Sequence, residues 1–127
     1  MDALGFVQSA EIPSVMNEAQ CLVLPSRLEN WGVVIQEAGV AGLPVITTDA
    51  CGAVSMFVRD GINGYIDPVD RDYLAQAMVR MTELSRPKLE EMSAAGCRLA
   101  RISDVRMVAE YFLDTVRIMI RSKRHHR

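Results

Sequence analysis

Two short apolar runs separated by a segment of helical character constrain the fold of this chain more than any other feature. The runs are "CLVLP" at 21–25 and "PVITTD" at 44–49. Neither alternates with polar residues, and the first ends in proline, which is the pattern of strands buried on both faces. Between them "GVVIQEAGVAG" reads as a short helix closed by Gly42. Strand, helix and strand in that order form a crossover unit, so the fold class is α/β with a parallel sheet.

The same reading extends along the chain. "LGFV" at 4–7 is expected to form a short strand, and "EIPSVMNEA" at 11–19 a helix capped in the Ser9 or Glu11 region. A short helix is expected near Val54 to Arg59, followed by the turn of "DGINGYIDP", a brief strand around Tyr65 and Ile66, and a proline stop. From Asp70 onward the pattern is helical. Leu74, Ala77, Met78 and Met81 share one face, and further helices are expected from Pro87 to Ala100 and from Asp104 to about Ser122. In the last of these Val105, Val108, Ala109, Phe112, Val116 and Met119 form a stripe expected to pack. The layout is sheet first and C-terminal helical layer last, in a single domain over 1–127 with a basic tail at 117–127.

Charge narrows the partners. The net charge is -2, yet five of the fourteen Lys and Arg lie in 117–127, which leaves nine bases against sixteen acids, or -7, for residues 1–116. A body of that charge is not a nucleic-acid platform. Cys21, Cys51 and Cys97 are odd in number and lack CxxC spacing, so neither a zinc site nor a disulfide framework is expected, and a reducing, cytoplasmic setting fits. No signal peptide is visible, and no run reaches the ~18 apolar residues of a spanning helix. The basic tail could touch the inner face of an anionic membrane.

The chemistry concentrates in "SRLENWGVVIQEAG" at 26–39, an apolar segment carrying Glu29 at its mouth and Glu37 in its middle. In open parallel sheets, ligands bind beyond the carboxyl ends of the strands, against the next helix start. A helix start offers unpaired N–H groups to an anion, and Gly32 is expected to leave the approach open. Glu37 lies about one and a half turns farther on, where a carboxylate suits a diol. Trp31 reads as a packed lid in preference to a stacking platform. Gly61 and Gly64 read as turn glycines. Cys51 has no histidine beside it and does not read as a nucleophile.

Glu29, seven residues and Glu37, embedded in "LPSRLENWGVVIQEAGVAGLPVITTDACG" and followed by "DGINGYIDPVD", resemble the nucleotide-sugar site of family 4 glycosyltransferases. The likeness covers about residues 4–80. It implies a GT-B architecture, of which this chain would be part of the C-terminal, Rossmann-like donor-binding domain, truncated at its N-terminus. By position, Glu37 would hold the donor ribose. Glu29, the catalytic-site carboxylate, would hold a hydroxyl of the transferred sugar. Backbone amides around Asn30, Trp31, Gly32 and Val33 would meet sugar and diphosphate.

The resemblance implies a retaining, metal-independent transferase with no cofactor, moving a sugar from a nucleotide-diphosphate donor to a glycan or lipid-linked acceptor. The expected partners are donor, acceptor, and either the missing N-terminal domain or a second copy covering exposed apolar surface. The isolated chain is expected to be inactive without that domain. Departures exist: the Arg and Lys that usually grip the diphosphate lie upstream of this sequence, with Arg27 as a nearby cation. The usual Gly-Gly and Glu of the later loop read as Cys51, Gly52 and Ser55. The alternative is a non-catalytic remnant or interaction module with the same fold. A response-regulator-like domain lacks its acidic N-terminal cluster here.

Overall fold

The computed structural model describes residues 3–103 and 105–124. The elements run α1 (Ile12–Glu18), β1 (Leu22–Leu24), α2 (Val33–Val40), β2 (Val45–Thr48), α3 (Val54–Phe57), β3 (Gly64–Asp67), α4 (Arg71–Thr82), α5 (Arg86–Ala100), a 3-10 turn (Arg101–Ser103) and α6 (Val105–Arg124). The strands form a parallel sheet in the order β1-β2-β3. Leu22 pairs with Val45 and Leu24 with Thr47, while Val45 pairs with Gly64 and Thr48 with Asp67. All three strands therefore end together on one side of the molecule.

The apolar runs bury as expected. Every residue of central β2 is buried, and edge strand β1 is half-buried throughout. Side chains alternate between two cores: Val45, Leu22, Leu24 and Ile66 pack with Met16, Ile35, Ala38 and Phe57. Ile46, Val23 and Tyr65 pack on the opposite face with Ala77 and Met81 of α4 and Met92 of α5. Helix α5 crosses α2 closely, since a Cβ on Gly39 would stand 2.9 Å from the Ala100 Cβ. Gly42, at φ +73, ends the α2 segment as expected, with its α-carbon turned toward Ser93.

Several expectations are corrected. Residues 4–7 form no strand: Gly5 sits at φ +66, Leu4 and Phe6 are exposed, and no described strand pairs with them. Strand formation needs a ladder partner, which local composition cannot supply. Glu11 occupies the cap position of α1 without a side-chain cap bond, its carboxylate accepting from the Gln8 amide at 3.2 Å instead. Met78 is exposed although Ala77 and Met81 are buried, because α4 meets the sheet through a narrower stripe.

Further corrections concern the turn glycine and the last helix. Gly64 opens β3 and is no turn glycine: a Cβ there would overlap the Val45 carbonyl. Gly61, at φ +71 with open space around it, is one. Of the α6 stripe expected to pack, Val105, Ala109 and Phe112 are exposed and Val116 is half-buried, while the side chains of Val108 and Met119, with tail residues 125–127, lie outside the described residues. Among the described residues no helix is long and apolar enough to cross a membrane.

The bend between α3 and β3 is locked by one buried side chain. Asn63 is 1% exposed; its Oδ1 accepts from the Arg59 amide at 2.7 Å and its Nδ2 donates to the Phe57 carbonyl at 2.8 Å. Asp70 caps α4 by accepting from the amides of Asp72 and Tyr73. Replacing Asn63 with Ala leaves a donor and an acceptor buried without partners, so Asn63→Ala is expected to destabilise the fold by about 2–4 kcal/mol. Urea unfolding should show a lowered midpoint with an unchanged slope.

Candidate functional site

The site is assembled where the strands end. After Leu24, Pro25 stops β1 and the chain turns back along the loop that follows β2. Glu29 and Cys51 form an isolated parallel bridge that prolongs the β1–β2 pairing. The Glu29 amide donates to the Ala50 carbonyl at 3.0 Å, and the Gly52 amide donates to the Glu29 carbonyl at 3.0 Å. One residue pair on, the Ala53 amide and the Cys51 thiol both donate to the Trp31 carbonyl, at 2.7 and 3.2 Å. The two loops thus hold each other chiefly through backbone hydrogen bonds, with the Cys51 thiol as an added side-chain donor.

Both glycines of this contact are required by the packing of the two loops. Gly32 lies at φ +85, and a Cβ there would come within 2.7 Å of the Cys51 sulfur and 3.3 Å of Glu29 Cγ. A Cβ on Gly52 would overlap the Asn30 carbonyl oxygen. Gly32 is buried, and its missing Cβ lets the chain reverse into α2 against Cys51. Cys51 is 4% exposed and packs in the core, while burial pushes the Cys21 thiol up to about 11, leaving it protonated at neutral pH.

Glu29 is partly buried, and its Oε1 accepts from the Trp31 amide at 3.2 Å. Among the described residues the amides of Gly32, Val33 and Val34 donate to no protein acceptor, as a helix start dictates, and the Ile35 amide takes the Gly32 carbonyl. Asn30, Trp31 and Val33 are exposed beside them. The donors of a helix start and the Glu29 carboxylate therefore border one another at the strand ends.

Glu37 is exposed although it lies in the middle of an apolar segment. It pairs with neither Arg27 nor a backbone amide; among the described residues its carboxylate has no hydrogen bond or ion pair. It lines a pocket of about 320 Å³ between α1 and α2, with Ile12, Pro13 and Met16 on one wall and Val33 and Val40 on the other. Val33 and Glu37 are four residues apart on one helix face, about 6 Å along the axis. Glu29, Asn30, Trp31 and Gly32 lie outside the pocket lining but directly before Val33.

The α1 wall escaped the sequence reading. Its signal was present in the helical spacing of Ser9, Ile12, Pro13, Met16 and Asn17, but nothing local says which helix faces which. Arg27 lines a different hollow of about 200 Å³, with Thr48, Asp70 and Arg71. Ser55 turns its hydroxyl onto the Gly52 carbonyl at 3.2 Å. Among the described residues no three His, Cys, Asp or Glu cluster as metal ligands would.

A parallel sheet with crossover helices, carrying a carboxylate-bordered helix start at its strand ends, defines a Rossmann-like α/β half-domain. Residues 1–98 match the family described as glycosyl transferases group 1, and the chain belongs to that family. It is similar at 35% identity, over 77% of this chain and 29% of that protein, to the alpha-D-kanosaminyltransferase of Streptomyces kanamyceticus. It is similar at 29% identity, over 89% of this chain and 25% of that protein, to the glycogen synthase of Mycobacterium tuberculosis.

Among solved structures, WaaG, a glycosyltransferase involved in lipopolysaccharide biosynthesis, superposes with a TM-score of 0.68 at 25% identity, covering 87% of this chain and 30% of that one. The pneumococcal O-GlcNAc transferase GtfA, solved with UDP and GlcNAc, shares the fold with a TM-score of 0.69 at 24% identity, over 87% of this chain and 23% of that one. These neighbours are GT-B glycosyltransferases. The chain spans under a third of each relative's length.

Gly32→Ala is expected to destabilise the fold by about 1–3 kcal/mol, through the left-handed backbone and the contact with Cys51. Adding Cys51→Ala should recover the steric part and leave the backbone part, which a double-mutant cycle in chemical denaturation measures.

Proposed function

We propose that this chain is the nucleotide-sugar-binding part of a retaining, family 4 glycosyltransferase, and that Glu37 holds the donor ribose. The observation that carries the reading is the free Glu37 carboxylate on an apolar pocket, on the same helix face as the unpaired donors at the start of α2. An extended anionic ligand with a diol at one end satisfies both groups at once. Apolar walls accept a flat base, the carboxylate accepts from two neighbouring hydroxyls, and the helix start receives phosphate.

Glu29 then accepts from a hydroxyl of the transferred sugar, and amides around Asn30, Trp31, Gly32 and Val33 meet the sugar and diphosphate. In a front-face transfer, the bond between the anomeric carbon and the diphosphate oxygen breaks. The acceptor oxygen bonds to the same face, and its proton passes to the leaving phosphate. The protein's part is to stabilise the charge growing on the diphosphate with the helix start. No metal or other cofactor is invoked.

The acceptor is a glycan or a lipid-linked sugar, and the whole enzyme pairs this donor half with an acceptor-binding domain, without which it does not turn over. The setting proposed is cytoplasmic, with peripheral contact to the inner membrane face through the basic tail. A second reading, an interaction module that has lost catalysis, draws support from the exposed apolar residues Val105, Phe112 and Leu113 of α6.

Glu37→Ala is expected to weaken nucleotide-sugar binding by at least about tenfold, the scale of one or two hydrogen bonds to a charged group. Because Glu37 is exposed and unpaired, its thermal midpoint should stay unchanged. Calorimetric titration beside a melting curve tests both halves, and equal loss of binding and stability would assign Glu37 to the fold.

A further inference from the structure

Trp31 reads as a packed lid in sequence, yet the residue is 42% exposed. It is held in place all the same. The ring stands perpendicular to that of buried Phe57, with centroids 6.2 Å apart and an interplanar angle of 89°. A perpendicular contact leaves at least one face of the indole uncovered by Phe57. The backbone on either side is pinned as well: the Trp31 carbonyl accepts from Ala53 and Cys51, and its amide donates to Glu29 Oε1. A half-open aromatic side chain thus belongs to a residue whose own amide holds the Glu29 carboxylate, two residues earlier in the same pinned loop.

A pyranose ring presents two kinds of surface: a face of C–H groups and a rim of hydroxyls. The C–H groups carry slight positive charge and suit the negative face of an aromatic ring. The hydroxyls suit a carboxylate. We propose that Trp31 is a platform for the transferred sugar, its indole under the C–H face while Glu29 accepts from the hydroxyl rim. The assignment rests on the nucleotide-sugar reading above. Because Phe57 and the loop bridge already orient the ring, the sugar meets it with little further loss of side-chain freedom. Trp31 therefore discriminates a sugar nucleotide from the bare nucleoside diphosphate, which reaches the helix start and Glu37 but not the indole.

Trp31 is the single tryptophan of the chain, so its emission reports this site alone. The full chain is titrated with UDP-glucose, ADP-glucose and GDP-mannose, and with UDP, ADP and GDP. The sugar nucleotide that binds is expected to change the emission, and its matching diphosphate to leave it nearly unchanged. Calorimetry on Trp31→Leu should show roughly 3- to 10-fold weaker binding of the sugar nucleotide, the scale of one aromatic contact, with the diphosphate unaffected. Trp31→Phe, which keeps an aromatic face, should recover most of the loss. Equal weakening of sugar nucleotide and diphosphate in Trp31→Leu, or weakening of neither, overturns the platform and leaves the Glu37 reading standing. Failure of all six ligands to bind the unaltered chain overturns both.

Discussion

The loop after β1 lies so close against the loop after β2 that neither Gly32 nor Gly52 has room for a side chain, and the whole site depends on that contact. The bridge from Glu29 to Cys51 carries the sheet's pairing past its last regular residues. It fixes where the chain reverses at Gly32 and therefore where α2 begins. The start of α2 decides in turn where three unpaired amides stand and which way Glu37 faces. Cys51 serves this arrangement by its size and by its weak bond to the Trp31 carbonyl. Its thiol is a packing group, sealed beneath the loop it supports.

Helix α2 divides two tasks between two faces. Ile35 and Ala38 are 1% and 0% exposed and carry the core packing. Val33, Glu37 and Val40 turn the other way, toward α1. A carboxylate on the exposed face has no desolvation to offset, so Glu37 can remain unpaired without destabilising the fold and stays free to accept hydrogen bonds. The apolar neighbours on that face are half-satisfied by Ile12, Pro13 and Met16, and the remaining gap is the pocket.

Much of the sheet was legible because buried parallel strands leave a local mark: "CLVLP" and "PVITTD" needed no partner to be recognised. "LGFV" carries a similar mark and forms no strand, since a strand is made by what lies beside it. The stop at Gly42 was legible because it solves a local geometric problem, and the helix that begins beside Asp70 was legible from its apolar spacing. Gly64 was misread for the opposite reason: its need arises from the Val45 backbone, nineteen residues away. Glu29 and Glu37 were singled out by spacing and context, but their surroundings were not legible. Spacing says nothing of burial, and Glu37 turned out exposed. The α1 wall and the half-open Trp31 depend on pairings between distant segments, which no local pattern records.

The most direct test of a donor site built on the start of α2 is an amide chemical-shift titration of the full chain with UDP-glucose, ADP-glucose and GDP-mannose. The amides of Gly32, Val33 and Val34 should move most, because phosphate hydrogen-bonds to them. Smaller shifts should run along α2 to Glu37 and across the pocket to α1, with α4 unchanged. Shifts centred on α4 or α5, or none at saturating ligand, would contradict it.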